Sequence, residues 1–188
     1  ESVIGVLSLT DTIREDAKGA LNKAKINGVA KTVMLTGDNS KTARAVGEQI
    51  GVDEVRSDLL PSDKVSYIKE LKSRGHSVAM VGDGINDAPA LAASDVGVAM
   101  GLGGTDVAIE TAGVILATDD LNRIPKLFRI SRETIKIIKL NIVIAMTVNI
   151  AGIALSASGV LPPFIAAVIH ESNALVGMMN SLRLLRVD

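Results

Sequence analysis

Ser77-Val78-Ala79-Met80-Val81-Gly82-Asp83-Gly84-Ile85-Asn86-Asp87-Ala88-Pro89-Ala90-Leu91 is the stretch that decides how this chain folds. An apolar run of strand length ends in a glycine-flanked turn that carries two carboxylates, Asp83 and Asp87, and one amide, Asn86. Oxygen ligands so placed suit a hard cation, most simply Mg2+, which takes one or two protein carboxylates and completes its shell with water and phosphate oxygens. Gly82 and Gly84 let the backbone turn sharply toward a ligand, and Pro89 fits the first turn of a following helix.

Upstream and downstream of that turn, short apolar runs alternate with helical patterns. Val3 to Leu9, Thr32 to Leu35, Ser77 to Val81, Val96 to Met100 and Gly113 to Ala117 read as strands. Arg14 to Ile26, Lys41 to Ile50 and Lys64 to Arg74 read as helices, the last with Val65, Ile68 and Leu71 on one stripe and Ser62 or Asp63 near its cap. Continuous apolar strands suit a parallel sheet covered on both faces. The predicted class is α/β, a doubly wound parallel sheet with ligands at the carboxyl ends of its strands.

A second strand ends much as the first does: Val33-Met34-Leu35 runs into Thr36-Gly37-Asp38-Asn39. A threonine hydroxyl and glycine amides at a strand tip can donate to phosphate oxygens. The plainer alternative is an ordinary turn in which Asp38 or Asn39 caps the next helix. Lys64 opens a helix, where the dipole disfavours a cation, so it is easier to understand facing phosphate charge than as a solvated lysine.

The composition is 47% hydrophobic but only 2% aromatic, and the excess is local. No charged residue occurs from Leu140 to Leu161, roughly 33 Å of helix at 1.5 Å per residue, which is enough to span a bilayer core. After Pro162-Pro163 a second apolar stretch, Phe164 to Leu182, holds only His170 and Glu171 as ionisable residues. Lys126, Arg129, Arg132, Lys136 and Lys139 precede the pair, and Arg183 and Arg186 follow it. The positive-inside rule then predicts an α-helical transmembrane hairpin with both ends in the cytoplasm, the alternative being a buried hairpin in a soluble core. The expected organisation is a sheet domain over 1–120, a basic helical linker over 121–139 and two membrane helices over 140–188. A net charge of −1, with lysines and arginines spread without aromatic interleaving, argues against a nucleic-acid partner. With no cysteine, a disulfide framework and a thiolate metal site are excluded within these residues. The opening Glu1-Ser2-Val3-Ile4, without a signal segment or initiator methionine, suggests a piece of a longer protein.

In order, Thr36-Gly37-Asp38-Asn39, Pro61-Ser62-Asp63-Lys64 and the Gly82 to Leu91 segment resemble the phosphorylation domain of P-type ATPases, cation pumps of the haloacid-dehalogenase-like (HAD-like) superfamily. Asp11-Thr12-Ile13-Arg14 resembles their D-x-x-R segment, and Asn180-Ser181-Leu182-Arg183-Leu184-Leu185 resembles the end of the heavy-metal subfamily. The resemblance implies a HAD-like, Rossmann-like domain at the carboxyl-terminal end of a pump. Such a pump moves the ATP γ-phosphoryl group to an aspartate and hydrolyses it while carrying a metal ion across the cell membrane. It further implies that Thr36 bonds the phosphoryl group and Lys64 neutralises it. Asp83 would ligate Mg2+, with Asn86 and Asp87 ordering the metal shell. Gly37 and Asp38, with Asp11 and Arg14, would line the ATP side.

The family's nucleophile is the aspartate of a D-K-T-G-T string, and no such string occurs here. The resemblance therefore implies partners: a nucleotide-binding domain, an actuator domain and earlier membrane helices. Asp11 follows an apolar run as a superfamily nucleophile would, which leaves a membrane-tethered phosphatase as one alternative and a non-catalytic split-pump fragment as another. In the membrane segment, His170 and Glu171 are costly ionisable groups that mark a functional position, unless they pair with neighbouring helices. The resemblance places transported-ion residues at His170, Glu171 and Asn149. Imidazole with carboxylate suits a borderline divalent ion better than Cu(I).

Overall fold

The computed structural model describes residues 12–83, 86–101 and 110–186, in two units, Glu1–Pro125 and Lys126–Asp188. The expected strand from Val3 to Leu9 lies outside the described residues.

In the first unit, α1 (Ala17–Ile26) turns Ala20 and Ala24 inward and places Lys23 and Lys25 in its last turn, where cations complement the helix dipole. β1 (Val33–Leu35) then runs parallel to β2 (Glu54–Arg56), with Val33 opposite Glu54. Between them α2 (Ser40–Ile50) buries Ala43 and Gly47. Small residues are needed there, since a Cβ on Gly47 would lie 2.3 Å from a methyl of Val55. α3 (Pro61–Ser73) starts at a proline, which its fixed φ favours, and buries Ile68. β3 (Ala79–Gly82), β4 (Val96–Met100) and β5 (Val114–Leu116) form a second all-parallel piece in that order, with Val81 opposite Val98 and Val98 opposite Val114. The short α4 (Ala88–Ala93) packs Leu91 on Ala99 and Met80.

The expected parallel α/β class stands, with one strand that periodicity did not reveal. β2 has only three residues, of which Val55 alone is apolar, so neither alternation nor an apolar run announces it. Side chains pin it instead. Asp53 accepts from the Thr32 amide and hydroxyl, both at 2.8 Å, and from Lys25 at 2.7 Å. Glu54 pairs with Lys31 and Arg56 and accepts from the Tyr67 hydroxyl at 3.0 Å, while Arg56 lies over the Tyr67 ring. Lys31, Arg56 and Tyr67 together hold the Glu54 carboxyl down at about 2, with Lys31 contributing most.

α5 (Arg123–Ala157) carries the basic stretch and the first apolar stretch in one unbroken helix. Pro125, its third residue, sits in the first turn, where no intrahelical amide bond is lost. Pro162 and Pro163 then open α6 (Pro163–Ser181), and a short 3-10 turn covers Leu182–Arg186. Among the described residues, α5 is the one helix long and apolar enough to cross a membrane by length and composition. The 19 residues of α6 are interrupted by the polar run His170-Glu171-Ser172-Asn173, so the expected hairpin is unequal. Exposed Ile142, Val143, Ile150, Ile153, Phe164 and Met178 leave both helices with broad apolar faces, which water does not favour.

Candidate functional sites

At the carboxyl tip of β3 the sequence places Gly82 and Asp83, and the turn leads to Asp87 just before α4. Lys64, in the first turn of α3, donates from Nζ to Asp87 Oδ1 at 2.7 Å. Their side chains are only 14% and 16% exposed, so Lys64 is not a solvated helix lysine. Gly82 makes room for the pair: a Cβ there would stand 2.8 Å from Asp87 Oδ2 and 2.9 Å from its Cβ. Asp83 and Asn86 are exposed beside this pair in the chain.

The β1 tip is built differently. Thr36 Oγ1 donates to Asp38 Oδ2 at 2.8 Å, and the Asp38 amide donates back to Thr36 Oγ1 at 3.1 Å. Helix capping falls to Asn39, whose Oδ1 accepts from the Thr42 amide at 3.0 Å, so Asp38 is left to the turn. Sequence reasoning missed the loop that fastens this tip. The Asp58 amide bonds Asp38 O at 2.8 Å and the Leu59 amide bonds Thr36 O at 3.1 Å, with Asp58 in the left-handed region at φ 56°. Asp is one of the few non-glycine residues that tolerate that conformation. The signal was the Ser57-Asp58-Leu59-Leu60-Pro61 segment, a turn-forming residue ahead of a helix-opening proline. Through residues 59–64 the Thr36 turn is joined to Lys64.

Arg14 goes elsewhere. Its Nε lies 3.5 Å from Asp16, and Asp16 Oδ2 in turn accepts from the Leu121 amide at 3.1 Å. Among the described residues no hydrogen bond or ion pair joins Arg14 to Thr36, Lys64 or Asp87. Asp11 and Gly84 lie outside the described residues. Asp120 is held below the usual carboxylate range, first by the Asn122 amide and side chain and also by the charges of Arg123 and Arg14.

A second polar constellation lies between α5 and α6. His170 Nδ1 and Asn149 Oδ1 are 2.9 Å apart. Further along, the Asn141 amide nitrogen donates to Gly177 O at 3.2 Å and to Ser181 Oγ at 3.1 Å, while its oxygen accepts from Asn180 at 2.6 Å. Between these two cross-links lies a cleft of about 210 Å³ that Asn141, Asn149, His170, Asn173 and Gly177 help to line. A second cleft of about 320 Å³, beyond the His170 rung, is bordered by Gly152, Ile153, Ala166 and Ile169. Glu171 borders neither cleft and is exposed.

The family model for haloacid dehalogenase-like hydrolases matches residues 1–95. Over 185 residues the chain is 44% identical to a manganese-exporting P-type ATPase of Mycobacterium tuberculosis, covering 98% of this chain and 26% of that protein. It is 46% identical over 187 residues to a probable cadmium-transporting ATPase of Staphylococcus aureus, covering 100% of this chain and 26% of that protein. Among solved structures it superposes on a zinc-transporting PIB-type ATPase in the E2.Pi state with a TM-score of 0.86 and 38% identity, over 93% of this chain and 28% of that one. The chain spans about a quarter of the length of the curated relatives it matches.

Proposed function

Because the chain belongs to the haloacid dehalogenase-like hydrolases, in the branch of the heavy-metal P-type ATPases, we propose that it is the carboxyl-terminal part of an ATP-driven pump for divalent metal ions. In this reading the first unit supplies the phosphate and Mg2+ groups for an aspartyl phosphate whose aspartate lies outside the chain. α5 and α6 supply part of the membrane path. The observation that carries the reading is the Lys64–Asp87 pair, which fixes a largely buried cation against the turn that follows β3.

The residues fit Mg2+. Lys64 takes Oδ1 of Asp87, which leaves Oδ2 for a cation, and the Asp83 carboxylate is exposed at the end of the same strand. Two carboxylates and water are what this hard ion accepts. When bound, Mg2+ would neutralise charge on phosphoryl oxygens. The chain's own groups do the rest. Asp87 aims the Lys64 ammonium, and that fixed charge stabilises the negative charge that spreads over phosphoryl oxygens in the transition state. Thr36 Oγ1, now bonded to Asp38, can turn its hydroxyl to a phosphoryl oxygen at the cost of one exposed hydrogen bond. Asn86 would bond water around a bound Mg2+, and Asp38, with Gly37, would face the ATP side.

In the membrane, His170 and Asn149 carry the transported ion, with Glu171 turned toward helices of the remaining bundle. The basic residues before α5's apolar part and Arg183 and Arg186 after α6 orient both ends of the pair to the cytoplasm. Labelling the full-length protein with γ-phosphate-labelled ATP tests the reading. A Mg2+-dependent phosphoenzyme that is stimulated by a divalent transition metal supports it, and its absence under every metal tried overturns it.

A further inference from the structure

We propose that Lys72, at the far end of α3 from the β3 tip, is a positioning residue for phosphoryl transfer: it holds α3, α4 and β3 in the register that sets Lys64 against Asp87. This rests on the phosphoryl-transfer reading above. Lys72 lies in the last turn of α3. Its Nζ donates to Ala93 O, the last carbonyl of α4, at 3.0 Å and stands 3.0 Å from Asp95 Oδ1. Asp95 in turn fastens the entry to β3: its Oδ2 accepts from the Val78 amide at 2.8 Å, and its own amide donates to Val78 O at 2.9 Å. One ammonium therefore joins the end of α3, the end of α4 and the residue just before β3. At the opposite end Lys64, in the first turn of α3, meets Asp87, which precedes α4 and crowds Gly82, the last residue of β3. The same three elements are tied at both ends by lysines of one helix.

Register makes the two ties one device. Lys64 and Asp87 are 23 positions apart, and so are Lys72 and Asp95, so α3 and α4 run side by side in the same direction. On α3 the two lysines point about 80° apart, with Ile68, 1% exposed, between them. A slip of α3 along α4 would carry both ammonium groups off their partners together. The Lys72 and Asp95 side chains are 36% and 41% exposed, and an ion pair so wetted contributes little to stability by itself. Its effect is on alignment, because the carbonyl and the carboxylate that receive Lys72 belong to different segments. A charge displaced by about 1 Å from its reacting partner can cost on the order of a hundredfold in rate. Lys64 is the charge that such a displacement would move.

The test uses the full-length protein with Lys72→Met, Lys72→Arg, Lys64→Ala and the Lys64→Ala, Lys72→Met double variant. The rate constant of phosphoenzyme formation from γ-phosphate-labelled ATP is measured in each. Met keeps the reach of the side chain and removes its charge. A variant that folds poorly loses labelled protein but keeps its rate constant, so misfolding does not imitate the expected result. Lys72→Met should slow formation roughly tenfold or more with an unchanged ATP half-saturation, and Lys72→Arg, which keeps the charge, should restore most of the rate. On top of Lys64→Ala, Lys72→Met should change the rate constant by less than about twofold, since its effect passes through Lys64. A native rate constant in Lys72→Met, or an equal slowing with and without Lys64, overturns the role of Lys72 and leaves the pump reading standing on the native phosphoenzyme. If the native protein forms no phosphoenzyme, both fall.

Discussion

Lys64–Asp87 and Asn149–His170 solve one problem in two solvents. Lys64–Asp87 is a full ion pair at a strand tip, 14% and 16% exposed, where water and a phosphate can share the charge. Asn149–His170 joins two helices in the unit read as membrane-spanning, and it contains no carboxylate. Continuum estimates put several kcal/mol on each ion taken fully out of water, so a neutral pair is the cheaper way to hold polarity inside a bilayer. The strand tip thus holds a fixed ion pair, while the rung between the helices is a single imidazole–amide hydrogen bond.

Lys64→Ala removes the fixed cation and should slow phosphoenzyme formation by about 10²–10³, the usual loss for one electrostatic donor, with the metal half-saturation unchanged. Gly82→Ala forces a Cβ to within 2.8 Å of Asp87 and should disturb the same step through Asp87 alone. Its stability cost should be about 1–3 kcal/mol, as for overpacking in general, measured by thermal unfolding. Gly47→Ala, which meets Val55, should cost a similar amount without touching phosphorylation and so serves as its control. Asn149→Ala should do the reverse of Lys64→Ala: a roughly tenfold weaker metal response with an unchanged ATP half-saturation.

The smallest effect concerns pH. Asp53, Glu54 and Asp95 all have carboxyls held below their ordinary values, by Lys25, by Lys31 and by the Val78 amide respectively. Acids lowered in the folded state add stability that is complete above their unfolded pKa, near 4, and is lost as pH falls through the folded values. The denaturant midpoint should hold steady with respect to these groups above about pH 5 and decline progressively below about pH 4. Hydrogen exchange of the β2 amides reports it locally, because Glu54 and Arg56 lie in that strand and bind Tyr67. Asp53→Asn should flatten the decline.

Much of the sheet unit was legible because its signals are local. Apolar runs mark β3 and β4, and the residues of the β3 turn carry their chemistry in their order. β2 was not legible, since its three residues are held by Thr32, Lys31 and Tyr67, partners at separations no window sees. The site divided the same way. Thr36, Lys64 and Asp87 could be named from turn and cap chemistry, but the Lys64–Asp87 contact spans 23 positions and appears only in the fold. In the helix pair, sequence adjacency drew attention to His170 and Glu171 together. On the helix they point about 100° apart, and His170 bonds Asn149, 21 positions away.

In the reading proposed above, the β3 tip holds Mg2+ against an aspartyl phosphate. Titrating Mg2+ while measuring phosphoenzyme in the native full-length protein and in Asp83→Ala tests it most directly. Asp83→Ala should raise the Mg2+ requirement at least roughly tenfold and leave the transported-metal half-saturation in place; an unchanged Mg2+ requirement would rule out Asp83 as a Mg2+ ligand.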